Sequence, residues 1–95
     1  MSIDVVIEQD AATFAVRPPF GKPVTFVVTE KNVNVSRQTG SFVARREAPR
    51  FVVGLKGSHG NGFSHHTTFE AACSRALSRA RRYDRAYSVP RRVAA

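Results

Sequence analysis

The sequence predicts an α+β domain: an antiparallel meander of about four to six strands with one C-terminal amphipathic helix packed on one face. Three observations lead there. Apolar residues recur at helical spacing from Thr67 to Tyr87, and β-branched and aromatic residues fill short runs between residues 24 and 56. The connections between those runs are only a few residues long. Parallel neighbours need a crossover of a dozen or more residues, so such short links join antiparallel strands.

Taken in order, Ile3 to Glu8 alternates as a strand should, with Ile3, Val5 and Ile7 on one face. Gln9 to Ala12 reads as a turn, and Thr13 to Arg17 as the partner strand with Phe14 and Val16 inward. Residues 1–17 are thus an N-terminal hairpin. Pro18 to Pro23 holds three prolines and a glycine, which a sheet interior does not tolerate, so it is a connecting loop. The meander then spans residues 24–56. Its expected strands are Val24–Thr29, Val33–Arg37, Ser41–Arg46 and Arg50–Lys56. Turns are expected at Glu30–Asn32 and Gln38–Gly40, and a break at Glu47–Pro49. Alternation nominates Phe26, Val28, Phe42, Ala44, Phe51, Val53 and Leu55 as the face that meets the helix. The other face mixes Asn34, Ser36, Arg45 and Lys56 with Val27, Val43 and Val52. Those valines are open to three readings: packing under the hairpin, a homodimer seam, or a nucleic-acid groove.

Residues 67–87 form the helix. At about 100° per residue, Phe69, Cys73, Ala76, Ala80, Tyr83 and Tyr87 share a stripe that Ala72 and Leu77 widen. Thr67 and Glu70 have the spacing of a capping box. Pro90 disfavours helical backbone at Val89 and marks the stop. Residues 88–95, with Arg91 and Arg92, read as a basic flexible tail, which leaves 1–87 as one small domain.

Bulk properties limit the function classes. A chain of 95 residues buries only about two-thirds of its unfolded surface, so a homodimer is compatible with its modest core. The lone Cys73 cannot form an internal disulfide, which suits a reducing, cytoplasmic compartment. Asp4, Glu8 and Asp10 stand where a signal peptide needs bases, and no apolar run is long enough for a membrane span. Fifteen bases, twelve of them arginine, face seven acids, for a net charge of +8. A pI near 11.1 is the electrostatic footprint of a nucleic-acid binder.

Chemistry is sparse. Gly57 to His66 precedes a helix start but lacks the lysine of a phosphate-binding loop. His59, His65 and His66 do not present four converging zinc ligands with Cys73. No nucleophile–base pair has a recognisable context, and paired carboxylates are wanting. The reading is therefore no enzyme, no metal and no cofactor.

The arginines are the candidates. Arg75, Arg79 and Arg82 follow i, i+4, i+7 spacing, and Arg81 and Arg85 are four apart. A guanidinium offers a planar fork of donors that phosphate oxygens accept in pairs. Only Glu70 and Asp84 are available as helical ion-pair partners, whereas a solvated helix usually interleaves both signs. Arg45, Arg46 and Lys56 are the candidates on the sheet, within a wider basic set that includes Arg17, Lys22, Arg37 and Arg50.

Strands followed by a glycine-bearing turn, Phe63 and the helix start Thr68-Phe69-Glu70-Ala71-Ala72 loosely resemble the sheet-plus-helix DNA-binding domains of the AP2 and phage-integrase arm-binding type. The likeness covers residues 33–87 at most and carries no functional residue across. It implies that a sheet, buttressed by the helix, enters the major groove. The leading expectation is a small non-enzymatic nucleic-acid-binding protein, on DNA or RNA, that grips phosphates with the helix. The alternative is an accessory or inhibitor protein that docks its basic surface on an acidic protein partner.

Overall fold

The computed structural model describes residues 3–58 and 62–90, and the side chains of all of these except 37–39. Strands β1 (Ile3–Ile7), β2 (Ala11–Val16), β3 (Val24–Thr39), β4 (Phe42–Leu55) and β5 (Ser64–His66) precede one helix, α1 (Phe69–Ala86). Among the described residues these make a five-stranded antiparallel meander in the order β1-β2-β3-β4-β5, curled into a half-barrel with α1 packed against the strands. No helix is long and apolar enough to cross a membrane among the described residues.

The strands are fewer and longer than the turn signals imply. β3 runs for 16 residues and β4 for 14, and Asn32 pairs with Pro49 inside the ladder. Neither Glu30–Asn32 nor Glu47–Pro49 interrupts the chain. Pro49 is tolerated because β5 covers β4 only at Phe51–Val53. Beyond that point β4 has a single neighbour, and the missing N–H can face the open edge. The one reversal is Gly40-Ser41. Gly40 has φ 62° and no described non-glycine residue has positive φ, which fits a two-residue hairpin with glycine at its first central position.

This continuity corrects the expected core. Side chains alternate strictly along an unbroken strand. Phe51, Val53 and Leu55 face the helix, so Phe42 and Ala44, at even positions of the same strand, take the opposite face. They also lie beyond the reach of α1. Phe42 is 71% exposed and Ala44 is exposed. Because β2 covers β3 only at residues 24–29, residues 30–50 project as a two-stranded ribbon.

The core itself joins Phe14, Val16, Phe26, Val28 and Val53 to Ala72, Ala76 and Ala80, with Ile3, Phe51, Leu55, Phe69, Leu77 and Tyr83 around it. Phe51 meets Phe69 edge-on with ring centroids 5.6 Å apart. The centre of the helical stripe is alanine, which lets the helix backbone approach the strands closely. The larger residues at its borders close the sides.

Both ends of α1 are tied. The N-cap is Thr68, not Thr67: its Oγ1 accepts from the Ala71 N–H at 3.2 Å. That places Glu70 at the second helical position, where it faces the positive end of the dipole but cannot return a capping-box bond. The residue three past the cap is Ala71, which has no acceptor, so the Thr67–Glu70 box does not form. At the other end, the Phe20 N–H donates to the Tyr87 carbonyl at 3.1 Å, and the Tyr83 hydroxyl donates to the Lys22 carbonyl at 2.8 Å. A Cβ on Gly21 would sit 2.7 Å from Tyr87 Cγ. The proline loop is thereby held flat against the last turn of the helix.

Candidate nucleic-acid interface

Seating the alanine stripe on the sheet decides where each arginine of α1 goes. Opposite the stripe at 100° per residue stand Glu70, Ala71, Ser74, Ser78, Arg81, Arg82 and Arg85, with Arg75 on the flank, and all are exposed. Arg81, Arg82 and Arg85 line a shallow depression of about 370 Å³ with Ser74, Leu77 and Ser78. From Ser74 to Arg85 the helix rises roughly 16 Å. Guanidiniums and hydroxyl donors thus converge on one open patch, the donor set that phosphate oxygens accept.

Arg79 leaves this set. It lies at the border of the stripe and is half-buried. Its guanidinium carbon stands 4.5 Å from the centroid of the Phe63 ring, and its Nε is buried without a hydrogen-bond partner. Burial, and then the charges of Arg75 and Arg82, hold its pKa below the usual arginine value. Phe63 in turn packs on Phe26, with centroids 6.1 Å apart. Arg79 therefore caps an aromatic pair at the sheet edge, a cation–π role, and does not stand free with the other four.

The sheet candidates are not brought together either. Arg45 and Arg46 are exposed on the ribbon, but adjacent residues of a strand point to opposite faces. Lys56 follows β4, with its N–H donating to the Thr25 carbonyl at 2.9 Å. It is separated from Arg46 by roughly 33 Å of strand at about 3.3 Å per residue. What the sequence reading missed is Lys31, which sits in β3 directly opposite Arg50. Lys31 and Lys56 border a second depression, of about 420 Å³, with Val27, Val52 and Gly54 on its lining. Only the continuous β3–β4 register could have exposed this, and the apparent turn at Glu30–Asn32 concealed it.

The remaining polar candidates stay apart. His66 Nε2 is 2.9 Å from Ser64 Oγ, His65 is exposed on the opposite face, and burial raises the pKa of the half-buried Cys73 thiol. No group of three or more His, Cys, Asp or Glu side chains could hold a metal among the described residues. His59, and Arg91 and Arg92 of the tail, lie outside the described residues. Comparison with known protein families, characterised proteins and solved structures finds no match to this chain.

Proposed function

We propose that this chain is a small, non-enzymatic nucleic-acid-binding protein that grips phosphates with the exposed face of α1. The observation that carries the reading is the convergence of Arg81, Arg82 and Arg85 with two serine hydroxyls in one open depression. Arg75, next to Ser74, is exposed on the flank of the patch. The net charge of +8 supports it, because a basic chain is drawn to a polyanion before any contact forms. The lone cysteine accords with a reducing, cytoplasmic setting.

Affinity in this reading comes from neutralised phosphates and carries no sequence readout. Four arginine contacts give a slope of about −3.6 in log K against log salt on duplex DNA. The test is a titration of duplex DNA and of RNA across salt, on the wild type and on the Arg75→Gln/Arg81→Gln/Arg82→Gln/Arg85→Gln variant. The variant is expected to bind at least tenfold more weakly and with a shallower slope. Absence of wild-type binding at ~50 mM salt, where phosphate contacts are strong, refutes the proposal. Capture of an acidic protein that survives nuclease treatment would instead support the adaptor alternative.

A further inference from the structure

β3 and β4 pair without interruption from Phe26–Leu55 to Thr39–Phe42, and the pairing sorts their charges. On the face turned away from α1 stand Lys31 and Arg50, directly opposite one another, and Arg46, opposite Val35. Lys56 continues the same alternation just past Leu55. The acids of the two strands are Glu30 and Glu47, and both take the other face, across from Phe51 and Asn34. One face of the ribbon and its root is therefore basic with no carboxylate from either strand.

That arrangement works against the isolated fold. Like charges directly opposite on neighbouring strands destabilise a pair, and Lys31–Arg50 is such a pair. Polar and small apolar residues such as Thr29, Val33 and Val52 separate the bases, so nothing within the two strands neutralises them.

We infer that this face is a second phosphate-binding surface, shaped for duplex DNA, and that one chain bridges two duplex segments. The inference rests on the nucleic-acid reading above, though not on α1 being its main surface. The occupant is argued from charge and span. The roughly 33 Å of strand between Arg46 and Lys56 is close to one helical turn of B-DNA, about 34 Å. The second duplex follows from geometry. α1 lies on the opposite face of the sheet with its arginines pointing away from the strands, so the two basic surfaces are back to back and a single straight duplex cannot lie on both.

The test immobilises one duplex on beads and measures capture of a second, fluorescent duplex by the full chain at low salt. The Lys31→Gln/Arg46→Gln/Arg50→Gln/Lys56→Gln variant is expected to bind the immobilised duplex yet lose tenfold or more of the second-duplex capture. The double variant Lys31→Gln/Arg50→Gln, which only removes a like-charge opposition, replaces the fourfold one if circular dichroism shows the latter unfolded. Undiminished capture by these variants overturns the inference, including the case in which copies of the chain bridge through their helices. Wild type that binds one duplex through α1 but captures no second overturns it while leaving the proposed function standing. Wild type that binds no duplex overturns both, as does binding to polyglutamate in place of DNA.

Discussion

Ala76→Leu probes the seat on which the position of every helix arginine depends. Ala72, Ala76 and Ala80 are each 0% exposed and stand four apart, so they form one line along α1. A leucine at Ala76 adds three carbons in the middle of that line, against strands that leave no room for them. It must push the helix off the sheet or twist its own side chain from a staggered rotamer. Overpacking of this kind costs about 1–3 kcal/mol. Alanine and leucine are both strong helix formers, so propensity does not mask the effect.

Total stability scales at about 0.05–0.15 kcal/mol per residue, so a loss near 2 kcal/mol is a large part of what a chain of 95 residues has. At roughly 4–8 °C per kcal/mol for a domain of this size, melting should fall by roughly 8–16 °C. Thermal unfolding followed by circular dichroism measures it, with Ala71→Leu as the control on the exposed side of the same helix. That control should stay within about 0.5 kcal/mol of wild type, as surface substitutions usually do. If Ala76→Leu melts with the wild type, the alanines do not set the helix–sheet distance, and the outward placement of Arg75, Arg81, Arg82 and Arg85 loses its support.

Two further outcomes separate readings that the sequence leaves tangled. Thr68→Ala should cost about 1 kcal/mol by removing the N-cap acceptor, while Thr67→Ala should cost almost nothing; the reverse order in a melting comparison would restore the Thr67–Glu70 box. Arg79→Ala should lower the melting temperature through loss of its stacking on Phe63, about 0.5–1 kcal/mol for a partly exposed pair. It should leave the salt dependence of duplex binding unchanged, whereas Arg82→Ala should reduce that slope by about 0.9. An equal change of slope for both would return Arg79 to the phosphate-gripping set.

The helix was legible because its evidence is local and redundant: a stripe of the right period, a polar start and a proline stop. The same holds for Phe14, Val16, Phe26, Val28, Phe51 and Val53, whose alternation lies within single uninterrupted runs. Phe42 and Ala44 were misplaced for the opposite reason. Glu30-Lys31-Asn32 and Glu47-Ala48-Pro49 have the composition of turns, and a break at either would have reset the alternation. In the fold both segments lie inside the β3–β4 ladder and meet at Asn32–Pro49, and the cross-strand pairing overrides the local preference. Arg79 could be placed on the border of the stripe from the sequence. Its withdrawal from solvent could not, because that depends on Phe63 arriving at the sheet edge from outside the helix.

The ribbon also bears on function through what it fails to contribute to stability. Most of its residues are exposed, and a lone two-stranded hairpin is at best marginally stable in water. Fixing a residue's backbone costs about 1–2 kcal/mol of conformational entropy, and little apolar burial here offsets it. A shorter β3–β4 connection would keep every buried residue of the helix–sheet core. What the long, unbroken register does achieve is to carry Lys31, Arg46, Arg50 and Lys56 onto one face and Glu30 and Glu47 onto the other. A single inserted residue between Arg46 and Arg50 would put those two arginines on opposite faces, because the side-chain period is two. Inserting one alanine there and measuring second-duplex capture thus tests the alternation itself. If capture survives with the alternation broken, charge sorting is not the reason for the ribbon's length.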